Sequence, residues 1–178
     1  QKLQVPDSAK PTMERVKLAI FSMLGDEITG AKCLDLFAGS GNLGFEALSR
    51  GAASCDFIEN DFFAIKSLKE NLQKLENTYQ EELPAKIIKN DALKYINDLY
   101  DRYDLIFIDP PYKENHIIHL FKTIDEVLAP TGKIIYLSEN ILNLEKTLPQ
   151  INESLKITDQ RQYSKTFVQV LQIKGRTL

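Results

Sequence analysis

The segment Cys33-Leu34-Asp35-Leu36-Phe37-Ala38-Gly39-Ser40-Gly41-Asn42-Leu43-Gly44 constrains this chain more than any other stretch. A short apolar run reads as a buried strand. Glycines at GxGxxG spacing follow it directly and open a helix that ends near Gly51. At such a junction glycine serves a tight turn, a close approach of backbone to ligand, and helix-to-strand packing. The strand-then-helix unit recurs. Phe57 and Ile58 end a second strand, and Asp61 caps a helix striped by Ile65, Leu68, Leu72 and Leu75. Ile87 and Ile88 mark a third strand, a short helix starts at about Ala92, and Tyr103 to Ile108 form a fourth strand.

The flanks fit the same plan. Thr12 reads as the N-cap of an opening helix carrying Val16, Ile20, Met23 and Leu24 and stopped by Gly25. Residues 76–84 read as a loop. Ile117, Leu120, Phe121, Ile124 and Leu128 predict an amphipathic helix, closed by Pro130 and Gly132 before a strand at 134–137. A last helix lies around 142–148, and segments 155–163 and 166–173, almost without linker, predict a terminal antiparallel hairpin. The expected fold is α/β, a mostly parallel sheet with helices on both faces and ligands at the carboxyl ends of the strands.

With 178 residues, 43% of them hydrophobic, one domain over 1–178 is expected. No apolar run reaches the ~18 residues of a membrane span and no secretory signal opens the chain, so a cytoplasmic location without membrane contact is expected. Cys33 and Cys55 provide neither a disulfide framework nor zinc spacing and read as small core residues. His116 and His119 lack surrounding cysteines or carboxylates and read as surface residues; no metal site is predicted. The formal net charge of −3 divides into +2 over 1–17, +4 over 156–178 and −9 between them. The acidic centre suits a cationic small ligand. Basic ends can meet phosphates, although solvated termini would give the same pattern.

Glu59 lies 18 residues beyond Gly41, at the end of the second strand, where a carboxylate can accept both hydroxyls of a ribose. Nicotinamide dinucleotides and S-adenosylmethionine both use this arrangement. Asp35 either hydrogen-bonds the glycine loop or helps to hold the ammonium end of a methionine moiety. Asp91, followed by Ala92, either meets an adenine edge or caps a helix. Three carboxylates around one crevice suit a sulfonium cation better than a pyrophosphate.

The fourth strand runs into Asp109-Pro110-Pro111-Tyr112. Two prolines cannot continue a central strand, because they lack N–H groups and fix φ. Asp109 is therefore left at the strand end, beside the crevice. An exocyclic amino group on a base has its lone pair drawn into the π-system and is a poor nucleophile. The Asp109 carboxylate and the Pro110 carbonyl can each accept one of its N–H groups and stabilise the positive charge that develops during attack on a methyl group. Tyr112 would stack on the base.

These residues resemble the class I S-adenosylmethionine-dependent amino-methyltransferases, and the chain is similar to the RsmD family of bacterial 16S rRNA guanine-N2 methyltransferases. The similarity runs from about Lys10 to Ile173. It rests on Lys10-Pro11-Thr12, Arg15-Val16-Lys17, the run Leu34 to Gly41, Gly44 with Glu46 to Gly51, and the Asp109 to Tyr112 tetrapeptide. The resemblance implies a seven-stranded Rossmann-like sheet with an antiparallel final hairpin. It also implies methylation of one guanine in a small ribosomal subunit or assembly intermediate, by a monomer. It assigns Asp35, Phe37, Gly39, Gly41, Glu59 and Asn60 to the cofactor, Asp91 and Ala92 to its adenine, and Asp109, Pro110, Pro111 and Tyr112 to the guanine. Arg15 would serve the substrate phosphate or the active-site rim.

The chain departs from the family in three ways. Lys10 stands where arginine is usual, Ser164 follows Tyr163 where glycine is usual, and the basic hairpin that usually comes first is not in the sequence. The tetrapeptide also serves adenine-N6 and cytosine-N4 DNA methyltransferases, but no sequence remains for a DNA-recognition region. A nicotinamide oxidoreductase would explain Gly39 to Glu59 and not Asp109 to Tyr112. A non-catalytic RNA-binding assembly module would rest on the basic ends alone.

Overall fold

Successive strand residues point to opposite faces of a sheet, and in this chain both sets are apolar. The computed structural model describes residues 9–111, 117–139 and 144–175, with side chains from Met13 onward. Cys33, Phe57, Leu105, Phe107, Ile135 and Leu137 pack on one face of the sheet, and Leu34, Leu36, Ile58, Ile106, Ile108, Ile134 and Tyr136 on the other. Burial on both sides leaves no polar alternation in the central strands, as a helix-covered parallel sheet requires.

The strands are β1 (Lys32–Leu36), β2 (Ser54–Glu59), β3 (Ala85–Lys89), β4 (Tyr103–Ile108), β5 (Leu128–Ser138), β6 (Leu155–Tyr163) and β7 (Thr166–Ile173). They form a seven-stranded sheet in the order β3-β2-β1-β4-β5-β7-β6. The first five run parallel; β7 pairs antiparallel with β5 and with β6. Helices α1 (Ala9–Leu24), α2 (Asn42–Ser49) and α3 (Phe62–Tyr79) bury their apolar stripes on one face. Helices α4 (Ala92–Asn97), α5 (Ile117–Leu120) and α6 (Leu144–Ile151) cover the other. The strand order reverses between β1 and β4, so a crevice opens there at the carboxyl edge of the sheet.

Three sequence expectations are corrected. First, α1 begins at Ala9, ahead of Thr12. Pro11 falls in its first turn, where a missing N–H removes no helical hydrogen bond. Second, α3 runs to Tyr79, past the loop expected from Glu76, until Gln80 enters the left-handed region at φ 57° and its N–H closes on the Glu76 carbonyl. Third, the helix expected through Leu128 is a single turn, α5, followed by a 3₁₀ turn at Ile124–Glu126, and Leu128 already belongs to β5. Leu128 pairs with Tyr103 and Lys133 with Leu105, so β5 advances five residues while β4 advances two. Pro130 and Gly132 occupy that bulge. A Cβ on Gly132 would lie 3.0 Å from the carbonyl oxygens of both Tyr103 and Asp104, so the strand needs glycine there.

Cys33 and Cys55 are fully buried, and burial pushes the Cys33 thiol up to about 12. Among the described residues no helix is long and apolar enough to cross a membrane. His116 lies outside the described residues.

The β6–β7 turn uses Ser164 at φ 57°, the only non-glycine residue of that two-residue connection with a positive φ. This is the type II′ pattern, in which glycine is favoured at the first position. Ser164→Gly should therefore raise stability by about 1 kcal/mol and the melting temperature by about 2–4 °C. Thermal unfolding followed by circular dichroism checks this, and an unchanged or lower midpoint would refute it.

Candidate active site

The cavity at the crevice encloses about 1000 Å³ and is framed by the carboxyl ends of β1, β2, β3 and β4, with α1 on its rim. Its geometry starts at the end of β1. Phe37 takes φ 61°, an uncommon conformation for an aromatic residue. It is held there by packing against the α4–α6 layer and by the following residue, whose Ala38 N–H donates to the Ile58 carbonyl at 3.0 Å. Gly39 and Gly41 follow at φ 55° and 84°, and Gly41 immediately precedes α2. The chain thereby turns back over the sheet edge, with backbone rather than side chains facing the cavity.

Glu59 organises the opposite wall. Its Oε2 accepts from the Gly39 N–H at 2.8 Å, while Oε1 accepts from Asn60 N–H at 2.7 Å and Asp61 N–H at 2.8 Å. One carboxylate thus ties the glycine loop to the start of α3 with three of its four acceptor sites and leaves one uncommitted. Asp91 caps α4 through the Lys94 N–H at 3.0 Å and also lines the cavity. Asp109, Pro110 and Pro111 form the far end, and burial pushes the Asp109 carboxyl up to about 6.

The structure brings Phe37, Gly39, Glu59, Asn60, Asp91, Ala92 and Asp109 to Pro111 into one cavity. Tyr112 lies outside the described residues. Asp35 is not at the cavity surface. It is 2% exposed, and its Oδ2 accepts from the Gly44 N–H at 2.9 Å, pinning the first turn of α2 from below. Burial pushes its carboxyl well above the usual range. Gly41 is likewise absent from the lining and packs toward Phe45 and Leu68.

Arg15 is exposed on α1, next to the lining residue Glu14, and is not itself part of the cavity lining. Met13 and Glu14 line the cavity, and beside them on α1 stands Lys17, ion-paired with Glu14. Its ammonium lies 3.2 Å from both Glu14 Oε2 and Asn42 Oδ1 and 3.3 Å from Glu46 Oε2. Burial alone would raise the Glu46 carboxyl, but Arg50 and Lys17 together hold it below the usual range. These contacts fasten α1 to α2 at the mouth of the site. The helical spacing Met13, Lys17, Ile20, Phe21 was the signal for this face. Asn90 and Phe62 also line the cavity. Phe62, as the first residue after the Asp61 cap, was foreseeable, whereas Asn90 carried no signal.

Among its described lining residues the cavity has five carboxylates, Glu14, Glu59, Asp61, Asp91 and Asp109, and no lysine, arginine or histidine. That donor set fits a ribose and a cation and is unsuited to a pyrophosphate, so the residues present fit S-adenosylmethionine.

A parallel sheet with this strand order, closed by an antiparallel hairpin and carrying a glycine loop beside a ribose-type carboxylate, defines the class I methyltransferase fold. Residues 1–172 match the model of the family described as conserved hypothetical protein 95. The chain belongs to this family, the RsmD family. It is 39% identical over 173 residues to "Putative rRNA methyltransferase YlbH" of Bacillus subtilis, covering 94% of this chain and 90% of that protein. It is 33% identical over 152 residues to "Ribosomal RNA small subunit methyltransferase D" of Escherichia coli, covering 84% of this chain and 74% of that protein. Among solved structures, "Putative methyltransferase yhhF" from Escherichia coli superposes with a TM-score of 0.77 at 29% identity, over 99% of this chain and 93% of that one.

Proposed function

We propose that this protein transfers a methyl group from S-adenosylmethionine to the N2 amino group of a guanine in small-subunit rRNA, acting as a monomer on a small ribosomal subunit or an assembly intermediate. The observation that carries this reading is the placement of Asp109-Pro110-Pro111 at one end of a cavity whose described lining holds five carboxylates and no basic side chain. The names of the RsmD relatives favour RNA over DNA as the substrate.

S-adenosylmethionine supplies an electrophilic methyl group on a positively charged sulfur. Glu59 accepts hydrogen bonds from the ribose hydroxyls, and the Gly39 backbone leaves room for the methionine portion. Asp91 and Ala92 flank the adenine, with Phe37 and Asn60 completing the walls. Asp35 acts from below by fixing the Gly44 N–H and hence the start of α2. At the far end the Asp109 carboxylate and the Pro110 carbonyl accept the two N–H groups of the guanine amine, and Tyr112 stacks on the base. These contacts favour a pyramidal nitrogen aimed at the methyl carbon and strengthen as positive charge appears on it. Asp109 accepts the proton during or after transfer. Deprotonation does not come first, because an aromatic amine is far too weak an acid.

The test incubates the protein with labelled methyl donor and either naked rRNA, small ribosomal particles lacking the modification, or duplex DNA, and maps the labelled base. Label on a guanine N2 of the particles is expected; label on DNA alone would overturn the reading. Glu59→Ala should weaken binding of S-adenosylhomocysteine roughly 10- to 100-fold, because charge-assisted hydrogen bonding to the ribose and the anchor of the glycine loop go together. Calorimetry reads this directly, and unchanged affinity would remove Glu59 from the cofactor site.

A further inference from the structure

A solvent-facing stripe on α3 begins at the rim of the cavity and is unused by the chemistry above. Phe62 and Phe63 stand side by side at its start, 65% and 74% exposed. A pair of exposed phenylalanines forfeits the stabilisation that burial would bring. Their rings meet edge to face, with centroids 5.6 Å apart and planes at 82°. A T-shaped contact uses the edge of one ring and one face of the other, leaving ring faces open to a planar partner.

The helix continues the pattern. Lys66 and Lys69 follow Phe62 at i+4 and i+7, so the ring and both ammonium groups share one face. Both lysines are exposed, and neither makes an ion pair among the described residues. Because Phe62 also lines the cavity, this strip is continuous with the site. Aromatic faces followed by unpaired cations, on a ridge leading out of an acidic cavity, complement unpaired bases joined by phosphates. A protein partner would be offered no carboxylate-matched apolar groove here, only two rings and a row of charge.

We propose that the Phe62–Phe63 pair with Lys66 and Lys69 is a docking strip for single-stranded RNA, holding nucleotides that flank the methylated base. Bases stack on the rings and phosphates lie along the lysines. The strip rests on the reading of the cavity as an rRNA methyltransferase site, and its position lets one contiguous strand reach both.

The test uses the full chain saturated with S-adenosylhomocysteine and a short fluorescein-labelled single-stranded RNA, read by anisotropy across a salt series. Phe62→Ala with Phe63→Ala should weaken RNA binding roughly tenfold or more, as the loss of a stacked base implies, without lowering the melting temperature. Lys66→Gln with Lys69→Gln should reduce the slope of log affinity against log salt by about 1.4. With small ribosomal particles as substrate, the KM of the aromatic variant should rise by more than its kcat falls.

Unchanged RNA affinity in the aromatic variant would overturn the strip. So would a parallel loss of S-adenosylhomocysteine affinity, which would assign the rings to the adenosine. A dimer in sedimentation that the aromatic variant converts to monomer would make the surface a contact between copies and also overturn it. A wild-type chain that binds the RNA strip-dependently yet methylates no rRNA would sink the substrate reading alone.

Discussion

Asp109→Ala is expected to lower the rate of methyl transfer about 10³-fold while S-adenosylhomocysteine binding survives. In the proposed mechanism the carboxylate faces the nitrogen that gains charge in the transition state, and removing one such preorganised group costs about 10²–10³ in rate. Calorimetry and a methyl-transfer assay on one preparation separate the two effects; loss of both together would contradict the assigned role. The same residue sets a pH dependence. Burial pushes its carboxyl from 3.8 up to about 6, and only the ionised form accepts both geometry and charge from the amine. Activity should therefore fall as pH drops through about 6, with an acid limb in kcat/KM that reports this group in the free enzyme. Stability runs the other way. The folded state holds the Asp109 proton more tightly than the unfolded chain, so its contribution is complete below pH 3.8 and is lost as pH rises through about 6. Asp109→Asn should remove both trends, and an acid limb that persists in that variant would assign it to another residue.

Gly44→Ala is expected to be the most destabilising single-methyl change in the loop region. A Cβ there would stand 2.7 Å from both Cys55 Sγ and Phe57 Cζ, deep in the packed layer between α2 and β2. Neither neighbour can move freely: Cys55 is fully buried, and the buried Phe57 ring lies in tilted contact with Phe45, centroids 4.7 Å apart. Overpacking at this level costs about 3 kcal/mol, equivalent to a fall of about 6–12 °C in melting temperature. Displacing α2 would also stretch the Gly44 N–H from the buried Asp35 carboxylate, 2.9 Å away. Thermal unfolding with and without S-adenosylhomocysteine measures both consequences. A midpoint within a degree of wild type would mean that the layer yields more easily than its packing indicates.

Much of this architecture was legible in the chain. The four parallel strands from β1 to β4, the Asp61 cap and the final hairpin follow from short apolar runs, period-3.6 apolar spacing between them, and glycine and aspartate at the junctions. The region from Ile117 to Gly132 was not legible. Its apolar residues satisfy helical spacing, yet Leu128 pairs with Tyr103, and an unfilled neighbouring strand outweighs local propensity. At the site, the GxGxxG loop, Glu59, Asp91 and Asp109 announce themselves by residue type at strand ends. What the sequence did not specify is which α1 side chain meets α2: a helix turns about 100° per residue, so Lys17 faces Asn42 and Glu46 while Arg15 stays exposed.

Outside Ile117–Gly132, the sequence by itself determined which segments are strands or helices, where glycine must turn the chain, and which carboxylates stand at strand ends, because these are properties of neighbours along the backbone. Only the tertiary structure decided that Asp35 lies beneath the loop, that Glu59 ties Gly39 to Asn60 and Asp61, that Asp109 titrates near 6, and that Phe62 and Phe63 remain in solvent. Burial, hydrogen-bond partners and desolvation depend on residues brought together through space, and spacing along a chain does not specify them.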